Sequence, residues 1–126
     1  RVSFWGPQRQ VAPFYQAAAV LALPTIYDPC SNVVLEALGC GTPVVTTAAN
    51  GAREFLNPGE NGEVLSGPDD VAGLAAALDA YLERQRDPLV RQAAQEAVAS
   101  LSWESTVSQT LTVLQEAAAE SGGALI

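Results

Sequence analysis

Short apolar runs alternate with helix-like stretches through the first half of the chain. We predict strands at residues 2–5, 20–23, 43–47 and 63–65, with helices between them at residues 11–19, 32–39 and 52–56. The run at residues 20–23 is apolar throughout and ends at Pro24, which is typical of a strand buried on both faces of a parallel sheet. Strands and helices that alternate at this spacing form βαβ units. The pattern therefore predicts an α/β fold with a parallel sheet.

The rest of the chain has a helical pattern. Asp69 or Asp70 is expected to cap one helix, and the pair Asp87-Pro88 is expected to open the next. The last predicted helix carries an apolar stripe made of Trp103, Val107, Leu111 and Leu114. We expect residues 1–120 to form one domain and residues 121–126 to be a frayed tail.

Glu36 is a lone carboxylate in a predicted helix whose other residues are nearly all apolar. A helix that is apolar all round is normally buried, and a buried carboxylate without partners costs several kcal/mol. We therefore expect Glu36 to be buried and to accept hydrogen bonds. Two interpretations are open: Glu36 binds a ligand, or it is a structural acid that caps a loop or pairs with Arg53.

A second acid, Asp28, lies in the turn-rich segment that links the strand at residues 20–23 to this helix. Ser31 is a plausible N-cap for the helix. A strand, a loop and a helix N-terminus in that order form a common anion-binding site in α/β sheets. Asp28 precedes Pro29, however, so it could equally be an ordinary turn residue.

The segment around these two acids resembles a known family. The stretch DPCSNVVLEA at residues 28–37, followed by GCGTPVVTT at residues 39–47, is similar to the donor-sugar signature of retaining GT-B glycosyltransferases of the family 4 type, the glycosyl transferases group 1. NGARE at residues 50–54, Asn61-Gly62 and SWE at residues 102–104 match further landmarks in the same order. The resemblance extends over about residues 2–116, and lipopolysaccharide-core-type glucosyltransferases are among the relatives that it suggests.

The resemblance implies a role for each acid. Glu36 would accept hydrogen bonds from both ribose hydroxyls of a nucleotide, which suits a carboxylate with four lone-pair sites. Asp28 would contact the hydroxyls of the donor sugar in the catalytic site. The family usually has Glu at this position, so the shorter Asp28 leaves the identity of the sugar open.

The backbone N–H groups of Cys30, Ser31, Asn32 and Val33 would bind the donor diphosphate at the helix N-terminus, where the macrodipole adds positive charge. Pro29 has no N–H to contribute. The Cys30 thiol is not expected to be a nucleophile, because the chain contains no histidine to activate it. No metal or other cofactor is expected, since GT-B enzymes of this type generally work without one.

The resemblance also implies a Rossmann-like three-layer α/β/α domain, the C-terminal, donor-binding part of a GT-B fold. Such enzymes have two Rossmann-like domains, and 126 residues make at most one. Family members usually bind the diphosphate with an Arg and a Lys upstream of the acid pair. We therefore expect a further N-terminal domain to supply these charges, and the chain alone to bind UDP-sugars weakly without transferring them. The strand at residues 2–5 would have an open edge, through which two copies could pair as a dimer.

The composition of the chain limits the classes of ligand that it can bind and the compartment in which it is expected. A net charge of −8 argues against nucleic acid and against anionic membranes as ligands. No apolar run is long enough to span a membrane. Cys30 and Cys40, the only cysteines, form no zinc-type spacing and no disulfide framework. We expect a cytoplasmic protein, with a peripheral location at the inner face of the cytoplasmic membrane as a further option for the full-length chain.

The preferred hypothesis is thus the donor-binding part of a bacterial hexosyltransferase that uses UDP-glucose. The complete enzyme would transfer the sugar to a cell-envelope glycolipid or polysaccharide, although the sequence does not identify the acceptor. One alternative is half of a non-hydrolysing sugar-nucleotide epimerase, but those enzymes typically use histidine. The other is a Rossmann-like interaction domain without catalytic activity.

Overall fold

The sheet is parallel and has three strands in the part of the chain that the computed structural model describes, residues 1–120. Its order is β1 (Leu21–Leu23), β2 (Val44–Thr47) and β3 (Gly62–Leu65), and in register Leu21 lies beside Val44 and Val44 beside Gly62. The α-helices are α1 (Ala12–Ala17), α2 (Asn32–Gly39), α3 (Val71–Glu83), α4 (Pro88–Val98) and α5 (Trp103–Glu120). A 3₁₀ helix, Gly51–Phe55, connects β2 to β3. The predicted α/β class is confirmed.

The central strand β2 is buried along its whole length and separates two hydrophobic clusters. Val44 packs in one cluster with Val34 and Leu38 of α2. Val45 packs in the other with Tyr81 of α3 and Val90 of α4. Successive residues of a strand point to opposite faces, so helices cover both faces of the sheet. This arrangement confirms the expected three-layer fold.

The helices after the sheet begin where the sequence predicts. Asp70 caps α3, because its carboxylate accepts a hydrogen bond from the Gly73 N–H at 2.9 Å. Asp87 caps α4 through the Leu89 N–H at 2.9 Å, and Pro88 occupies the first turn. Each cap satisfies an N–H that has no partner within its helix.

The strand predicted at residues 2–5 is wrong. These residues form no strand, and the side chain of Phe4 is 98% exposed. The apolar alternation is present, but no described strand lies beside this segment to supply the inter-strand hydrogen bonds. Trp5 instead packs edge-on against Phe14 of α1, with 5.8 Å between ring centroids. The open strand edge on which the predicted dimer depended is therefore absent at residues 2–5.

The last helix forms as predicted, but its apolar stripe remains largely uncovered. Trp103, Val107, Leu111 and Leu114 are each at least half exposed. No helix within residues 1–120 has both the length and the apolar character needed to cross a membrane. The frayed tail predicted at residues 121–126 lies outside the described residues.

Candidate functional site

The candidate site lies where β1 and β2 end. β1 ends at Leu23 and β2 at Thr47, and the loops that follow meet at the N-terminus of α2. The carboxyl ends of parallel strands share one edge of a sheet, which is the usual ligand-binding edge of an α/β fold. The structure therefore brings Asp28, on the first loop, to the start of the helix that carries Glu36.

The two loops are joined by backbone hydrogen bonds. The Asp28 N–H donates to the Ala49 carbonyl at 3.2 Å, and the Gly51 N–H donates to the Asp28 carbonyl at 2.9 Å. A Cβ atom on Gly51 would lie only 1.8 Å from the carbonyl oxygen of Pro29. Only glycine allows the loops to approach this closely, so Gly51 fixes the position of the Asp28 loop on the helix N-terminus.

Asn50 is the polar centre of this junction. It is fully buried, and its Oδ1 accepts hydrogen bonds from the Ala52 N–H at 3.0 Å and the Ser31 N–H at 3.4 Å. Its Nδ2 donates to Thr46 Oγ1 at 3.1 Å. From the sequence, Asn50 and Gly51 are noted only as part of the NGARE landmark. The Asn-Gly pair signals a turn, but no local pattern shows that the amide connects β2 to α2.

Two of the four N–H groups predicted to bind the diphosphate already have acceptors. The Cys30 N–H donates to Asp28 Oδ1 at 3.1 Å, and the Ser31 N–H donates to Asn50. Ser31 is the N-cap residue, as expected, but its hydroxyl makes no capping hydrogen bond. Within residues 1–120, Asn32 and Val33 have no acceptor for their N–H groups. The structure thus concentrates the available donors on these two residues, and diphosphate binding by the group stays a prediction.

Glu36 lies one turn into α2 and is exposed, so its predicted burial is wrong. The apolar neighbours of Glu36 pack inward, whereas its own side chain lies on the uncovered face of this short helix. Its Oε2 accepts a hydrogen bond from the Tyr15 hydroxyl of α1 at 3.1 Å. Partial burial and the neighbouring Glu36 raise the pKa of Tyr15, so this hydroxyl remains protonated at neutral pH. No sequence pattern signals this contact, because Tyr15 has the spacing of an ordinary packing residue of its helix.

One form of the structural alternative for Glu36 was a pair with Arg53. Arg53 instead donates to the Ala48 carbonyl at 2.7 Å. Among the described residues, the ion pair that does form is Arg84 with Asp87, between the end of α3 and the start of α4. Glu36 therefore keeps an uncompensated negative charge beside its one neutral donor.

An open groove of about 370 Å³ lies on the other flank of the α2 N-terminus. It is lined by apolar and hydroxyl-bearing side chains from α2 and the start of α5, including Leu35, Trp103 and Thr106. Asn32, whose N–H is free, also lines it. Cys30 is exposed nearby and is a free thiol. No cluster of three or more His, Cys, Asp or Glu side chains that could hold a metal ion occurs within residues 1–120.

The sequence profile of the family described as "Glycosyl transferases group 1" matches residues 1–84. The chain is 34% identical over 122 residues to a D-inositol 3-phosphate glycosyltransferase of Mycobacterium marinum, covering 93% of this chain and 26% of the relative. It is 34% identical over 108 residues to the lipopolysaccharide core biosynthesis glycosyltransferase LpsE of Rhizobium meliloti, covering 78% of this chain and 32% of LpsE. The chain thus spans between a quarter and a third of the length of these relatives.

Two solved structures are similar in fold. Sucrose-phosphate synthase from Thermosynechococcus elongatus superposes with a TM-score of 0.76 and 30% identity, over 87% of this chain and 28% of that one. Anabaena Alr3699/HepE in complex with UDP-glucose superposes with a TM-score of 0.72 and 26% identity, over 86% of this chain and 30% of that one.

Proposed function

Because the chain belongs to the glycosyl transferases group 1 family, we propose that it is the nucleotide-sugar-binding part of a retaining glycosyltransferase with UDP-glucose as donor. The complete enzyme would transfer the sugar to a cell-envelope glycolipid or polysaccharide. It would act in the cytoplasm or at the inner face of the cytoplasmic membrane, without a metal ion. The UDP-glucose complex of HepE supports the choice of donor. The name of LpsE supports the acceptor class, whereas the Mycobacterium marinum relative is named for a different acceptor, D-inositol 3-phosphate.

The observation that carries the proposal is the N-terminus of α2. The free N–H groups of Asn32 and Val33 point out of the first turn, with Asp28 before them in the chain and Glu36 one turn after them. Unpaired N–H groups and the helix macrodipole favour an anion at this place. A diphosphate there would lie between the two acids, which would bind the uncharged ends of the same donor.

Glu36 is suited to the ribose. Its exposed carboxylate uses one lone pair on the Tyr15 hydroxyl, which leaves Oε1 and part of Oε2 for two ribose hydroxyl donors. Since no described cation neutralises Glu36, these would be charge-assisted hydrogen bonds, the stronger kind.

Asp28 is suited to the sugar. Its Oδ1 accepts the Cys30 N–H, which fixes the side chain, while Oδ2 has no partner among the described residues. The proposed partner of Oδ2 is a hydroxyl of the donor sugar. An upstream domain would complete the cleft and supply cations for the diphosphate.

Binding measurements on the complete gene product test these roles. We expect Glu36→Gln to weaken UDP binding by about 1.5–3 kcal/mol, because it removes the charge and one acceptor but keeps the shape. The matched variant Asp28→Asn should leave UDP affinity unchanged and weaken UDP-glucose. Isothermal titration with both ligands, beside melting temperatures, separates binding from stability.

An unchanged UDP affinity in a well-folded Glu36→Gln protein would contradict the ribose assignment. Equal losses for UDP and UDP-glucose in Asp28→Asn would contradict the sugar assignment. A gene product that binds neither ligand would favour the interaction-domain alternative.

A further inference from the structure

Tyr15 connects the core of the domain to the candidate ribose carboxylate. Its ring packs against the cluster that contains Val34 and Leu38, and its hydroxyl donates to Glu36 Oε2 at 3.1 Å. The same residue is fixed at its backbone, because its carbonyl accepts the hydroxyl of the fully buried Thr42. Tyr15 is thus held at its ring and at its backbone, and this fixes the position of its hydroxyl.

We propose that Tyr15 is a positioning residue for donor binding, which holds the Glu36 carboxylate in the orientation that accepts the ribose hydroxyls. This inference depends on the ribose role proposed for Glu36. Tyr15 itself does not need to touch the ligand.

The contact between the Tyr15 hydroxyl and Glu36 is suited to orienting the carboxylate and not to neutralising its charge. Glu36 is exposed, and a free glutamate in water samples several rotamers, each of which must be lost when a ligand binds. A rigid tyrosine with its hydroxyl on Oε2 removes much of that freedom before the ligand arrives. Because the hydroxyl is neutral, Glu36 keeps its full charge for the ribose. An arginine in the same place would orient the carboxylate but compete for its lone pairs.

The backbone environment gives this contact its rigidity. Arg91 of α4 donates to the carbonyls of Gln16, at 3.5 Å, and Cys40, at 3.3 Å. These bonds tie the end of α1 to the end of α2. Contacts among three helices therefore help to hold the Tyr15 backbone beside α2.

The test compares UDP with 2′,3′-dideoxy-UDP, which lacks both ribose hydroxyls, on the complete gene product. We expect Tyr15→Phe to bind UDP about three- to tenfold more weakly, the range that corresponds to ordering one side chain. Its affinity for 2′,3′-dideoxy-UDP should not change. In a Glu36→Gln background, Tyr15→Phe should have no further effect on UDP, because the carboxylate that Tyr15 positions for the ribose hydroxyls has been replaced.

Tyr81→Phe is the matched control. Tyr81 also uses its hydroxyl on one acceptor, the Gly62 carbonyl at 2.9 Å, but in the cluster on the opposite face of the sheet. Its loss should lower the melting temperature and leave the ratio of UDP to 2′,3′-dideoxy-UDP affinities as in the unchanged protein.

The outcomes distinguish the role of Glu36 from the role of Tyr15. If the unchanged protein does not distinguish UDP from its dideoxy analogue, the ribose role of Glu36 fails, and this inference fails with it. If Glu36→Gln loses the discrimination and Tyr15→Phe retains it in full, only the role of Tyr15 is overturned. An equal loss for both ligands, or a Tyr15→Phe protein that does not fold, shows a structural role and also overturns it.

Discussion

The segment from β1 to β3 and the two ends of the described chain are both rich in apolar residues, but only the first buries most of them. β2 is buried throughout, and Leu38 and Val34 of α2 are fully covered. At the ends, Phe4 is 98% and Trp103 83% exposed. Large exposed apolar patches on a monomer commonly mark surfaces that contact another domain or protein.

The difference shows what a local pattern can specify. Helix α5 forms with its apolar stripe uncovered, because a helix satisfies its own backbone hydrogen bonds. Residues 2–5 have an equally apolar sequence but form no strand, because a strand depends on a neighbour for the same bonds. An apolar repeat with no covering partner can therefore still form a helix, whereas an apolar segment with no neighbouring strand does not form a strand.

Core truncation should give the largest contrast between the two regions. We expect Leu38→Ala to lower the free energy of unfolding by about 2–5 kcal/mol, because it leaves a cavity at a fully buried position. The matched change Leu111→Ala, on the half-exposed stripe of α5, should change it by no more than about 0.5 kcal/mol. Urea denaturation of the purified chain gives both values. A cost at Leu111 close to that at Leu38 would mean that the stripe of α5 is packed in solution as tightly as the core.

Gly51 offers a second contrast, of intermediate size. Gly51→Ala would place a methyl group 1.8 Å from the Pro29 carbonyl oxygen, so we expect a loss of about 1–3 kcal/mol as the loops separate. In the control Gly39→Ala, the nearest atom to the new Cβ is Val98 Cγ2 at 3.9 Å, and the helical position favours alanine. That variant should be neutral or up to about 1 kcal/mol more stable. Equal stability of the two variants in thermal melts would show that the loops do not need this close approach.

The sequence was sufficient for those features of the fold that have local causes. The caps at Asp70 and Asp87 and the apolar run that became β1 act within a few residues of themselves, and all were predicted. The strand at residues 2–5 could not be judged locally, since its existence depends on a partner strand.

The features of the candidate site can likewise be separated into those with local causes and those without. The position of Asp28 before a helix that begins at Asn32 follows from the order of strand, loop and helix. The hydrogen bonds that connect the elements of the site do not follow from this order, because they join residues that are far apart in sequence. Asn50 meets Ser31 across 19 residues, and Tyr15 meets Glu36 across 21. The predicted burial of Glu36 failed because helix periodicity gives no information on how much of a short helix its neighbours cover.

Helix α3, which packs on the sheet, and helix α5, at the exposed end of the described chain, also begin differently, which gives the smallest expected effect. Asp70 caps α3 with a charged group, whereas the Ser102 hydroxyl accepts the Ser105 N–H at the start of α5. The Gly73 N–H and, next, the Ser66 hydroxyl hold the pKa of Asp70 below its ordinary value of 3.8. Because the folded state favours the ionised carboxylate, its contribution to stability is complete above pH 3.8 and is lost as the pH falls through the lower folded-state pKa.

We therefore expect Asp70→Asn, which keeps a capping oxygen without the charge, to be less stable than the unchanged chain near neutral pH. The difference between their free energies of unfolding should narrow in acid below pH 3.8. Ser102→Ala removes a neutral cap from the exposed helix, so its difference from the unchanged chain should be small and independent of pH over the same range. Urea denaturation of the three proteins at several pH values measures both differences, and comparison with the unchanged chain cancels the titration of the other carboxylates. A constant difference for Asp70→Asn would mean that the charge of the cap contributes nothing to α3, and that the caps of α3 and α5 are equivalent.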